Sequence, residues 1–219
     1  MAGSRNALLA VILFLATAFA AAAAPPAGEV SAFVAGIDPF AHRTAIAPGA
    51  GLGIGIGGGV GGTFTLLWSE RVATRVSFGV LRLPLTLRGS AAGSGDGGSI
   101  DLTPLTVLGQ RRFSPRGRTQ AYAEVGVTYP FLPQASLSAA LRNAGVDRVR
   151  RPDHPAFVLG TGADVAVAPR TAVEIELRWA PYAETLVVLP RGAVFKSQRL
   201  GVDFHPVTLS AGLVWRAFR

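Results

Sequence analysis

Residues Phe157 to Tyr182, FVLGTGADVAVAPRTAVEIELRWAPY, constrain what this chain can fold into more than any other stretch. Val173, Ile175, Leu177 and Trp179 alternate with Glu174, Glu176 and Arg178, a period of two that puts apolar groups on one face of an extended strand and charges on the other. Upstream, Phe157, Leu159, Ala163, Val165 and Val167 alternate with Gly160, Gly162, Asp164 and Ala166, and only Ala168, Pro169 and Arg170 separate the halves. A link that short joins antiparallel strands and nothing else. Each half runs to about ten residues, the length a tilted strand needs to cross bilayer hydrocarbon. A soluble sandwich would turn the charged face to water, whereas a membrane barrel puts apolar residues on lipid and charges in its lumen.

Composition narrows the class without choosing between these two. The 219 residues suffice for one domain with a full core, and 27 Gly and 15 Pro are many for a helical protein. The absence of Cys excludes a disulfide framework, a thiolate metal site and lipid attachment through an N-terminal Cys. The net charge of +8 rests on Arg, with Lys196 the only Lys. No basic helix or aromatic-interleaved basic cluster accompanies it, so nucleic acid is not the expected partner; scattered Arg suits anionic lipid head groups better. Arg5 precedes an apolar run, Ala7 to Ala24, ending in small residues with A-x-A registers and followed by Pro25-Pro26. Residues 1–24 therefore read as a secretory signal peptide and 25–219 as the mature domain. Past Ala24 no run is long and apolar enough for a transmembrane helix, but an exported chain can still be a membrane protein if it closes a sheet on itself.

The alternation recurs along the chain. Glu29 to Ile37 is a short candidate strand whose facing its residues leave open, and Asp38 to Ala50 is a loop. In Gly51 to Trp68 the even positions are mostly large and apolar and the odd ones small. Gly53-x-Gly55-x-x-Gly58 lies within it, but a dinucleotide fingerprint must open a helix and here the strand period runs straight through. Glycines facing a narrow lumen would make room for larger side chains opposite. Arg71 to Leu87 follows a tight turn at Ser69-Glu70, with Val72, Val76, Phe78 and Val80 apolar on one side, after which Leu81, Leu83, Leu85 and Leu87 carry the apolar side. Two readings fit this change of phase: a bulge near Val80 to Arg82, or an unbroken strand whose leucines line the outer half of the lumen. Arg88 to Ser99 reads as a polar loop, Ile100 to Phe113 as a strand interrupted by Pro104, Ser114 to Arg118 as a turn and Thr119 to Phe131 as a strand. In the long connection from Leu132 to His154, Ser136 can cap a short helix through Arg142, with Gly145 as its stop. A last strand spans Asp203 to Phe218.

These segments make eight strands whose links alternate short, near 69, 116 and 169, and long, near 44, 93, 143 and 194. In an up-and-down barrel that alternation gathers all short turns at one end and all long loops at the other, as outer-membrane barrels do. The expected fold is an all-β, eight-stranded antiparallel transmembrane β-barrel in the cell outer membrane. QAYAEVGVTY (120–129), LGTGADVA (159–166), AVEIELRW (172–179), VDFHPVTLSAGLVWR (202–216) and the Pro-containing LTPLTVLGQRRF (102–113) resemble successive strands of the OmpW family of small outer-membrane proteins. That resemblance implies a narrow, partly hydrophobic channel for passive passage of small hydrophobic compounds. The chain departs from the family in ending Phe218-Arg219, not on an aromatic residue, and in its Gly-rich second strand.

The strand parity points Arg71, Arg75, Glu124, Asp164, Glu174, Glu176, Arg178 and Arg216 inward, four of each sign. Buried charges must be paired, and equal numbers permit it. Such a network is either a structural plug of salt bridges, or the closed periplasmic half of a channel whose apolar outer half, near Leu81, Leu83 and Leu85, takes a small ligand that leaves sideways into lipid. Of the histidines, His205 lies two residues before Val207, where a deacylase pattern would need Ser, and no pair with His42 or His154 has metal-ligand spacing. Neither an enzyme nor a cofactor is expected. The competing function is a non-transporting structural or surface-adhesion barrel. Lipopolysaccharide is the expected neighbour, with Arg148, Arg150 and Arg151 as candidate phosphate contacts in a segment that otherwise reads as a solvated loop.

Overall fold

A computed structural model describes residues 27–40, 44–47, 50–90, 93–113, 118–131, 135–143, 146–150, 155–181, 187–190 and 205–218. The expected signal peptide lies outside these residues. Eight long strands form the wall: β1 (Ala27–Asp38), β2 (Gly57–Leu67), β3 (Val72–Ser90), β4 (Gly93–Phe113), β5 (Thr119–Phe131), β6 (Ala156–Ala168), β7 (Thr171–Trp179) and β8 (Val207–Phe218). Each pairs antiparallel with the one before it, and β8 returns to pair with β1 from Gly28 opposite Phe218 to Asp38 opposite Val207. The sheet is therefore a closed cylinder with no free edge.

The wall has the inverted polarity of a membrane protein. In β7, Ile175 and Leu177 are 55% and 45% exposed on the outside while Glu174 and Glu176 are 4% and 3% exposed within. Val34, Val60, Phe78, Leu209 and Leu213 extend the apolar surface around the circumference. A soluble protein would leave that area to aggregate, whereas lipid covers it. The facing of β1 is also resolved, with Val30 and Val34 exposed and Glu29, Ser31, Ala35 and Ile37 buried.

The change of phase at Leu81 has its cause in the neighbouring strand. β3 runs without a bulge from Arg75 to Leu85, so Arg75, Ser77, Leu81, Leu83, Leu85 and Leu87 all face the lumen. The extra residue sits before β2. Ile54, in a short strand Ala50–Ile54, lies opposite Leu85, and Gly58 lies opposite Arg82, so four steps on one side answer three on the other. This bulge at Gly55-Ile56 turns Leu52 into the lumen and Val60 and Phe64 onto lipid, although all three have the same parity. The single strand read from Gly51 to Trp68 is thus two, and of the two readings of the phase change near Val80 the unbroken strand with inward leucines is the one found.

Glycine shapes the interior of this sector. A Cβ on Gly61 would enter the Phe33 ring and the Phe78 carbonyl oxygen, and one on Gly212 would stand 3.0 Å from Phe33 Cβ. Gly61 thereby yields space to an aromatic ring inside the cylinder, and Gly212 to the backbone and Cβ of the strand beside it.

Two further expectations are corrected. Residues 88–90 and 93–99 are strand and not loop: β3 and β4 continue past the apolar band and pair as far as Ser90 with Gly93. Gly98, at φ +106°, lets Ser136–Leu137 pair alongside at a distance a side chain would forbid. The short helix α1 (Ala139–Asn143) is capped by Ser138, whose Oγ accepts from the Leu141 amide at 3.2 Å, and not by Ser136. Val146–Arg150 and Val187–Pro190 pair as a separate two-stranded sheet from the two longest connections.

Candidate functional site: the barrel lumen

The lumen is filled in layers whose chemistry changes from the short-turn end to the loop end. Nearest the turns, the Arg112 guanidinium pairs with Glu29 and donates to Gln110 Oε1 at 2.8 Å and Gln120 Oε1 at 3.2 Å. Arg216 closes this layer by donating to Glu29 Oε1 at 3.3 Å. Sequence parity missed Arg112 and Glu29. The signal for Arg112 was present in the even positions Thr106, Leu108 and Gln110 of the same strand, all buried, but Pro104 obscured the count.

Above it lies a second ionic layer centred on Arg75, which is 2% exposed. Its guanidinium reaches Glu124 at 3.3 Å, Glu174 at 2.6 Å and Glu176 at 3.2 Å, and its Cζ stands 5.2 Å from the centre of the Tyr122 ring. The Tyr122 hydroxyl donates to Glu174 at 2.6 Å. Arg178 pairs with Glu124 at 2.9 Å and with Glu176, and donates to Ser77 Oγ at 3.0 Å. Five of the eight charges read from parity therefore meet in one cluster. Arg216 joins the other layer. Asp164 is buried opposite Glu174 and Gln120, and its Oδ1 has no donor among the described residues. Arg71 is the exception: it is exposed in the turn before β3, its amide donating to Ser69 Oγ at 3.3 Å and its carbonyl accepting from the Arg112 amide. The inward set is therefore four arginines and five acids, not four of each.

Toward the loops the interior becomes apolar. Leu81, Leu83, Leu85 and Leu87 pack with Ile37, Leu52 and Ile100, and Leu141 of α1 reaches the same cluster. Between this cluster and the Arg75 layer lies a cavity of about 70 Å³, bordered by Phe33, Leu81, Leu102 and Pro104 on its apolar side and by Thr106, Thr128 and Arg178 on its polar side.

The pairing of β3 with β4 is interrupted beside that cavity. The β3–β4 ladder pairs Phe78 with Leu105 and Leu81 with Leu102, but no pair is formed between, where Gly79 and Val80 face Pro104 and Thr103. Pro104 has no amide hydrogen to contribute there. Gly79 borders the inner cavity and also a groove on the lipid-facing surface shared with Phe78, Val80 and Val60.

His205 sits beyond the start of β8, its amide donating to the Pro39 carbonyl at 3.2 Å, while His42 and His154 lie outside the described residues. Among the described residues no group of three or more His, Asp or Glu is disposed to hold a metal ion.

No protein-family model matches the chain, and no curated protein sequence matches it significantly. Solved structures do. The outer membrane protein OprG from Pseudomonas aeruginosa superposes with a TM-score of 0.75 at 15% identity, over 88% of this chain and 96% of that one. The outer membrane protein AlkL, solved by solid-state NMR in DMPC bilayers, gives 0.60 at 17% identity, over 88% and 91%. Both are small eight-stranded outer-membrane barrels of the OmpW-like class, and at these identities the likeness is one of fold.

Proposed function

We propose that this chain, an outer-membrane β-barrel with the OmpW-like fold, is a narrow passage by which small hydrophobic molecules enter from the cell surface and leave sideways into the membrane. The observation that carries this reading is the meeting, at Gly79, of an inner cavity, a gap in the backbone ladder and a lipid-facing groove. A solute in the apolar outer half meets the Arg75 layer below, which offers it no apolar path. The ladder gap lies at the same height, where Pro104 has no amide hydrogen to bind β4 to β3. No catalytic step and no cofactor belong to the proposal. A non-transporting barrel is the second reading, favoured by the small size of the cavity.

The absence of native Cys allows a direct test. Val80 and Thr103 face each other across the gap by register, so V80C/T103C can be oxidised to a staple across it. Entry of the dye 1-N-phenylnaphthylamine into intact cells, whose lipopolysaccharide leaflet excludes it, should be faster with the wild-type protein than without. Oxidation should return it to the rate of cells lacking the protein, and reductant should restore it. Equal entry in oxidised and reduced cells rules out the lateral route, and equal entry with and without the protein leaves the non-transporting barrel.

Lipopolysaccharide is the proposed neighbour at the loop end, with Arg148, Arg150 and Arg151 as contacts; their side chains are outside what the structure describes. Replacing all three by Gln should lower the lipopolysaccharide that co-purifies with the protein, and an unchanged amount removes the assignment.

A further inference from the structure

Apart from Arg142, exposed in α1 at the loop end, the arginines whose side chains the structure describes fall into two populations. Arg75, Arg112, Arg178 and Arg216 are paired inside, and Arg82 is paired outside with Asp101 at 2.8 Å. Arg71, Arg111, Arg118 and Arg170 are exposed, and among the described residues none of them meets a carboxylate. All four lie at the short-turn end, where Glu70 is the one exposed acid among the described residues.

Their placement is circumferential. The Arg112 amide donates to the Arg71 carbonyl at 2.8 Å, the Ala166 amide to that of Arg118 at 2.8 Å, and the Arg216 amide to that of Arg170 at 2.9 Å. Each of these arginines is thus pinned at a different junction between neighbouring strands. Arg111 sits on the lipid side of β4, on the same face as the half-exposed Phe113 and opposite Val72 and Ala123. Trp215, also exposed, is level with Thr171 at the start of β7. Aromatic rings and long cationic chains at one level of a membrane wall mark the depth of the head groups, where Arg lays its stem on apolar surface and extends its charge to the interface.

We propose that Arg71, Arg111, Arg118 and Arg170 form a girdle that binds the phosphates of anionic phospholipids in the periplasmic leaflet. Short turns face the periplasm in barrels of this kind, and the planar guanidinium matches a phosphate with two parallel donors. Cell-wall polymer also carries carboxylates, but it would approach the mouth of the cylinder, whereas Arg111 lies on the outer wall among lipid. The inference is independent of whether the lumen transports anything.

Spin-labelled phosphatidylglycerol and phosphatidylcholine, compared by electron paramagnetic resonance in phosphatidylcholine bilayers holding the full barrel, give the test. The wild-type protein should prefer phosphatidylglycerol at its perimeter by about fivefold, the share of one interfacial arginine. R71Q/R111Q/R118Q/R170Q should reduce the ratio to about one, and the matching Lys variant should keep most of it. Should the fourfold variant fail to give the heat-resistant gel band, R71Q/R170Q and R111Q/R118Q separately should each lower the ratio. A preference that survives the Gln substitutions overturns the proposal. So does the absence of any preference in the wild type, with sacculi binding lost on substitution pointing instead to the cell wall.

Discussion

Replacing Arg75 by Met is expected to cost the folded barrel about 3–5 kcal/mol, the range found when one partner of a buried ion pair is removed. The guanidinium is the hub of its layer: three carboxylates, on Glu124, Glu174 and Glu176, stand within 3.3 Å of it. Without it Arg178 alone remains to balance them, and the carboxylates are 6% exposed or less, so solvent compensates them poorly. The urea midpoint in detergent micelles and the fraction migrating as the compact form in unboiled gels both report the loss. A triple change, Arg75→Met with Glu174→Gln and Glu176→Gln, should recover a large part of it by removing the stranded charges. A fall below about 1 kcal/mol for the single change, the range of an exposed pair, would mean that the layer is wet and the packing around Arg75 has been misjudged.

The second large effect is expected at Leu83, which is 1% exposed in the apolar half of the lumen. Leu83→Ala should destabilise the barrel by about 2–5 kcal/mol, from lost burial plus the space left behind. If the outer lumen is the entrance proposed above, the same substitution should speed dye entry into cells, since side-chain bulk is removed from the cluster next to the cavity. Leu83→Asp should abolish entry while leaving any folded protein in the membrane. A lower stability with unchanged entry for both variants would reduce the leucine cluster to a packing role and favour the non-transporting barrel.

The hairpin of β6 and β7 was fully legible in the sequence because each of its strands obeys one parity from end to end. Asp164, Glu174 and Glu176 could be placed inside before any coordinates, and Phe157, Ile175 and Leu177 outside. β3 resisted because a strand of 19 residues changes its surroundings along its length. Its inner face is ionic at Arg75 and apolar from Leu81 onward, so a rule that equates apolar with lipid-facing must see a slip where none exists. The slip that does exist, at Gly55-Ile56, left no mark on the pattern, because Leu52 before it faces the apolar half of the lumen while Val60 and Phe64 after it face lipid, so large apolar residues hold even positions on both sides of it. Arg71 was misplaced for a related reason: parity says which way a strand residue points, not whether the strand has yet begun. The Arg112–Glu29 pair was hidden in the two strands with the weakest alternation, and such long-range pairing is set by register around the cylinder, which local pattern does not carry.

The seam between β1 and β8 has a consequence for how such a molecule is made. Glu29 and Arg216, joined across it, are 187 positions apart in the chain. Until the last strand is delivered, both the first strand and whichever strand has arrived latest present bare amides and carbonyls to hydrocarbon, a state lipid punishes severely. Assembly must therefore be a late, all-at-once event, with the polypeptide held unsealed by some outside agent until its tail arrives. A version cut short before β8 would have nothing to meet its head and should never leave that agent's keeping.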